Sequence, residues 1–292
     1  MIFLRRFAVT NYTKKMKRLL PTILIIYVCV IPLYAWDLKQ PVGGRASSFG
    51  LCSVALTDFW SCHNNPAGFA MFKDIGIGIS YENRFLLKEL GYKNAGVLLP
   101  IKLGVFGVSV SQFGYQHYNE NIFGIGFSRS FGPNLRIGLK LDYLLIKFSE
   151  SYGRTSTATF EIGMQYNINE RICFGTYLFN PIHIKIRSPN NNKIPIIMRL
   201  GVSYKMTDDF LLTSEVEENL EDNFSYRLGL EYEIYHNTFI RSGFQLRPEL
   251  FTFGFGYEYK NCIIDICGQM HIKLGTSLNC SFIFKIKRNK EL

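Results

Sequence analysis

The sequence predicts an all-β chain: a transmembrane antiparallel β-barrel of about 14 strands, preceded by a compact N-terminal segment. Three observations lead there. First, short segments of strict alternation follow one another from residue 75 almost to the end. In one of them Leu135, Ile137, Leu139, Leu141, Tyr143 and Leu145 alternate with Arg136, Gly138, Lys140 and Asp142, which gives a strand one greasy and one charged face. Second, the greasy faces are unusually aromatic, with 25 Phe and 17 Tyr in 292 residues; these residues suit strands and membrane interfaces. Third, no apolar run after Trp36 approaches the roughly 20 residues that a helical span requires. A chain of this kind crosses a bilayer only as a closed barrel, because open strand edges are not tolerated in lipid.

The elements follow in order. Residues 1–35 read as an export signal. Lys14, Lys15, Lys17 and Arg18 supply a positive region, Leu19 to Leu33 an apolar one, and Tyr34-Ala35 a small-residue end before Trp36. Met16 is a candidate true start, and the competing reading is a single membrane anchor. Residues 36–73 are rich in Gly, Ser, Ala, Asn and Pro and read as turns and short helix, with Ser53–Phe59 helix-compatible. The barrel is expected over residues 74–292. Its strands are expected at 75–85, 92–101, 103–114, 121–131, 134–148, 155–167, 171–179, 194–206, 209–217, 224–235, 238–246, 250–259, 262–272 and 276–286. Short turn signals such as Gly132-Pro133-Asn134 and His236-Asn237 alternate with longer connections, as in bacterial outer-membrane barrels. A secreted β-sandwich or β-propeller is the soluble alternative, but sandwich strands are typically about five or six residues long and no blade-length repeat is visible.

Parity assigns the faces. Phe251, Phe253, Phe255, Tyr257 and Tyr259 share one side, and Tyr226, Leu228, Leu230 and Tyr232 do the same in another strand. Facing the lumen instead are Arg136, Lys140, Asp142, Arg199, Lys205, Arg227, Glu231, Glu233, Glu258 and Asp265. Both signs occur, interleaved with glycine. This suits a narrow, filled lumen better than an open pore of one dominant sign.

Charge and chemistry narrow the function. The formal charge is +10, but residues 1–35 carry six basic residues and no acid, which leaves 27 basic against 23 acidic side chains. A nucleic-acid groove is therefore not expected. Six cysteines remain after the signal. Cys267 and Cys280 fall on opposite faces and cannot bond, whereas Cys52 and Cys62 lie in one segment and are open to pairing. The histidines, His63, His117, His183, His236 and His271, are scattered. No catalytic motif or metal-ligand spacing occurs, and no enzyme activity, cofactor or metal is expected. His271 and Asp265 share a lumenal face but lie too far apart for acid–base work. The acidic stretch Glu215–Asp222 reads as a solvated hairpin end rather than a Ca²⁺ site.

One segment carries a resemblance. Gly43-Gly44-Arg45-Ala46-Ser47-Ser48-Phe49-Gly50, then Ser53-Val54-Ala55-Leu56-Thr57-Asp58, then Asn64-Asn65-Pro66-Ala67-Gly68-Phe69-Ala70, resembles the start of FadL-type outer-membrane barrels. The similarity is to their shorter PorV/PorQ-like branch from Bacteroidota in particular. It implies a 14-stranded barrel in the outer membrane of a Gram-negative bacterium, with the N-terminal segment in the lumen as a hatch. The hatch motif is Asn64, Asn65, Pro66, Ala67 and Gly68: Pro66 fixes a turn, Gly68 permits positive φ or close approach to the wall, and the two amides can bond backbone. Two functions are implied. One is a non-enzymatic interaction or assembly component linked to type IX secretion, with secretion-machinery or surface proteins as partners beside outer-membrane lipid. The other is a channel for hydrophobic small molecules such as fatty acids, with Gly76, Gly78, Gly104 and Gly107 as sites for a gap in the wall.

Overall fold

A computed structural model describes residues 39–148, 153–182, 184, 194–219 and 224–287. The expected export signal and His183 lie outside these residues. Fourteen antiparallel strands form one closed barrel, each paired to its sequence neighbours and β1 to β14. They are β1 (Ile75–Asn83), β2 (Gly91–Ile101), β3 (Gly104–Gly114), β4 (Asn119–Phe131), β5 (Leu135–Lys147), β6 (Arg154–Asn167) and β7 (Ile172–Phe179). They continue as β8 (Ile197–Lys205), β9 (Phe210–Asn219), β10 (Ser225–Tyr235), β11 (Thr238–Leu246), β12 (Leu250–Tyr259), β13 (Cys262–His271) and β14 (Gly275–Ile286). The expected count is borne out, and the sheet closes on itself with no edge strand.

The faces invert those of a soluble protein. Leu141 is 70% exposed while its neighbour Asp142 is 1% exposed. Throughout the barrel the outward residues are Ile, Leu, Phe and Tyr, and the buried ones include Arg, Lys, Asp and Glu. Burying charge while exposing apolar side chains is unfavourable in water and makes sense only where the outside is hydrocarbon. Exposed aromatics also gather near the rims. At the tight-turn end stand Phe131, Tyr166, Tyr204, Tyr232 and Tyr257, and near the other end Tyr81, Tyr143, Tyr226 and Phe251. These are the two girdles expected where a barrel meets the headgroups of both leaflets.

Residues 39–72 pack against the inward faces of all fourteen strands, so the segment lies within the barrel. It holds two short helices, α1 (Gly44–Ser48) and α2 (Ser61–Asn64), and a 3₁₀ turn at Pro66–Met71. Ser53–Phe59, read as helix-compatible, is irregular instead. Its backbone groups are taken by the wall: the Ser53 and Val54 amides donate to Glu215, and the Val54 and Leu56 carbonyls accept from Gln165. Satisfied in this way, the chain has no need of helical hydrogen bonds. Near the longer loops the lumen is filled by Tyr92, Phe113, Ile122, Leu144, Ile146, Phe179 and Ile197.

Candidate functional site in the barrel interior

Three charge clusters tie the inner segment to the wall. In the first, Lys140 lies 3.1 Å from Glu161 and 3.2 Å from Asp142, and Lys39 of the segment pairs with Glu161 and lies 3.9 Å from Asp142. In the second, Arg227 contacts Glu215 and Glu217, each at 2.7 Å, and Arg199 pairs with Glu217. Here the segment supplies backbone: Arg227 donates to the Leu51 carbonyl, and Arg199 to that of Lys39. In the third, Arg241 bridges Glu231 and Asp265, each at 2.6 Å, while Arg45 of the segment donates to both oxygens of Glu231 at 2.7 and 3.0 Å. The first two clusters close at two cations and two anions, and in the third Arg45 also lies 3.5 Å from Asp58, which adds a third anion. Buried charges are tolerated when paired this way, and breaking one partner is costly.

These clusters bring together Lys140 with Asp142, Arg199 with Arg227, and Glu231 with Asp265. The remaining lumenal candidates sit elsewhere. Arg136 is buried and donates to Asn167 at 2.6 Å and to the Cys173 sulfur. Glu258 pairs with Lys285 at 2.6 Å near the tight-turn rim. Glu233 is half-buried and accepts from the Asn237 amide, closing the β10–β11 turn. Lys205 has the inward parity, but it ends β8 beyond the filled interior, exposed, and pairs with Asp208 at 3.2 Å. Sequence reasoning missed Glu215 and Glu217. They stand in the acidic stretch read as a solvated hairpin end, yet both point inward and meet the arginines of β8 and β10. Their period-two spacing opposite Arg199 and Arg227 was the available signal.

The hatch-motif residues act mainly through backbone contacts. Asn64 pairs with Val42, accepting from its amide at 2.7 Å and donating to its carbonyl at 2.9 Å. Asn65 caps the Ala67 amide and donates to the Val54 carbonyl at 2.6 Å. Pro66 opens the 3₁₀ turn, where its missing N–H costs nothing. The close approaches to the wall fall on wall glycines: a β-carbon on Gly138 would overlap Pro66, and one on Gly163 would overlap Asn65. Ala67 is fully buried, and its carbonyl accepts from Ser128. Gly68 has no positive φ; it packs closely on Ser61 and the Leu56 carbonyl within the segment itself. Gly76 and Gly78 make room for Phe59 and Phe72, and β1–β2, β2–β3 and β3–β4 run in unbroken register, so those glycines open no gap.

The interior offers little acid–base chemistry. Burial, then the charges of Lys140 and Lys39, hold the His63 imidazole down to about 3. Burial pushes the Cys62 thiol up to about 12. Cys52 and Cys62 are both free thiols, as are Cys267 and Cys280, which face opposite ways. His271 accepts from the amides of Lys273 and Leu274 and forms a turn rather than a pair with Asp265. Among the described residues no group of three His, Cys, Asp or Glu is placed to hold a metal, and no helix is long and apolar enough to cross a membrane.

A cavity of about 500 Å³ lies at the tight-turn end, between the inner segment and β10–β14. Its lining mixes apolar side chains, chiefly Phe59, Trp60, Phe72, Phe239 and Ile263, with charged ones, Arg45, Asp58, Glu231, Arg241 and Asp265 deep and Lys73, Asp74, Glu258 and Lys285 toward the rim. Its size is within the range of small-molecule sites.

No family model matches the sequence, and no curated protein matches it. Solved structures do share the fold. The Pseudomonas putida toluene transporter TodX superposes with a TM-score of 0.67 at 10% identity, covering 87% of this chain and all of that one. The Ralstonia pickettii toluene transporter TbuX gives 0.64 at 11% identity over 87% of this chain and all of its own. A Pseudomonas aeruginosa FadL homologue gives 0.65 at 10% identity over 84% of this chain and 98% of its own. The fold is thus that of the FadL-type barrels.

Proposed function

We propose that this chain is a non-enzymatic outer-membrane barrel that passes small hydrophobic molecules, with residues 36–73 acting as its hatch. The observation that carries this reading is the part-apolar cavity of about 500 Å³ beneath the inner segment. The apolar exterior and its two aromatic girdles support the location. The shared fold with toluene transporters and a FadL homologue supports the class of cargo. Every strand is bonded to both neighbours, β6 to β7 over Glu161–Asn167 and β10 to β11 across a register shift, and the inner segment fills the lumen between them, so passage along the lumen requires part of the hatch to shift.

A second reading, an assembly component with a permanent plug, draws on the PorV/PorQ-like resemblance of the N-terminal motif. The observation that favours it is the density of bonds between the inner segment and the wall. Purification from native outer membranes in mild detergent, with mass spectrometry of bound proteins and bound lipids, separates the two. A lone barrel carrying an apolar molecule is the expected result. Stoichiometric secretion or surface proteins, with no apolar ligand, would instead establish the assembly role.

A further inference from the structure

We infer that the cavity at the tight-turn end takes an organic cation, an aromatic or alkyl group bearing an ammonium, seated against Asp58. The inference rests on the reading of the interior as a route for apolar molecules and names the chemistry of one that fits.

The charge pattern carries it. Every deep cation around the cavity is already neutralised: Arg241 by Glu231 and Asp265, and Arg45 by two hydrogen bonds to Glu231. Toward the tight-turn rim Lys285 is held by Glu258 at 2.6 Å, and exposed Lys73 and half-buried Asp74 add one charge of each sign to the lining. Asp58 is the acid left over. Among the described residues its one cationic contact is Arg45 at 3.5 Å, longer than any bond inside the neighbouring cluster, and its side chain also accepts from the Ser61 hydroxyl at 3.5 Å. Its side chain retains 15% exposure toward the cavity it lines.

A carboxylate entering here would meet Asp58 and would have to displace Glu231 or Asp265 from an arginine. An ammonium would meet an under-paired carboxylate with aromatic rings close by. Phe59 and Trp60 sit edge to face at 5.1 Å and Phe72 packs on Phe59, while Phe239 also lines the cavity but already faces Arg241 at 5.3 Å. Aromatic faces attract desolvated organic cations, most strongly quaternary ones. Burial also pushes the Asp58 carboxyl up against the pull of Arg45, as expected of an acid whose partner is too far away to compensate.

Trp60 lines the cavity, and the chain has only two tryptophans. The full-length protein with Trp36→Phe, in non-ionic detergent, therefore carries one fluorescent reporter at the site. Three probes of similar size are titrated: benzyltrimethylammonium, benzyl alcohol and phenylacetate. The expected result is saturable quenching by the cation with Kd at least tenfold below that of phenylacetate. Asp58→Asn is expected to reduce the preference to under threefold, and Asp58→Glu, which keeps the charge, to restore it. Equal binding of all three probes, unchanged by Asp58→Asn, would overturn the cation site while leaving the apolar route intact. No saturable binding by any probe would sink both.

Discussion

Glu215 shows how single side chains hold the interior together. One oxygen accepts from the amides of Ser53 and Val54, and the other from Arg227 at 2.7 Å. Glu215→Ala strands two buried amides and leaves two arginines facing one remaining acid. Removing one partner of a buried pair costs about 3–5 kcal/mol. The urea midpoint of the detergent-solubilised protein is expected to fall accordingly, and an unchanged midpoint would show the cluster to be slack. His63 makes a second prediction. Its folded pKa of about 3 lies below the ordinary 6.5, so the unfolded chain binds the extra proton as pH falls between them. Stability is then full above about pH 6.5 and declines toward about pH 3. Between pH 7 and pH 4.5 the urea midpoint should drop further for the parent than for His63→Gln. Equal drops would place the acid sensitivity on carboxylates alone.

At the scale of elements, the wall glycines set how closely the inner segment can lie. A side chain at Gly163 collides with Asn65, which holds the Val54 carbonyl. Gly163→Val should therefore leave the barrel heat-modifiable on gels but displace the inner segment, so that trypsin reaches Arg45 in the variant and not in the parent. Protection of Arg45 in both would mean that the wall yields instead. The strands themselves were legible because a two-sided barrel wall imposes strict alternation. The run from Leu135 to Leu145 places Arg136, Lys140 and Asp142 inward, and every expected strand end falls within three residues of the one observed. The inner segment was legible as composition and motif but not as structure. Ser53–Phe59 follows no period because its hydrogen bonds come from Glu215 and Gln165, more than a hundred residues away. The inward role of Glu215 and Glu217 was obscured for the same reason: their partners lie on other strands, and a run of acids looks like a solvated turn until those strands are paired. The odd charge of Asp58 emerges only once the neighbouring cluster is seen to be closed.

At the scale of the whole molecule, the inversion of the two faces decides the environment. Leu141 is exposed on the outside of β5, well inside the strand ends. On a soluble protein Leu141→Arg would change stability by no more than about 0.5 kcal/mol. On the lipid face of a barrel near the midplane it costs about 2–4 kcal/mol. Equilibrium unfolding from lipid vesicles should give the larger value; a change within the smaller range would place this face in water. The same inversion explains why the interior is crowded with paired charge: lipid outside leaves the lumen as the only place for polar side chains, and the inner segment completes their pairing. The most direct measurement is uptake of a neutral monoaromatic solute by vesicles reconstituted with the purified barrel. The parent should speed uptake several-fold over protein-free vesicles, and a cross-link fixing the inner segment to β6 should abolish the gain. Uptake no faster than in protein-free vesicles, or fully retained after the cross-link, would contradict a hatch-gated route for hydrophobic molecules.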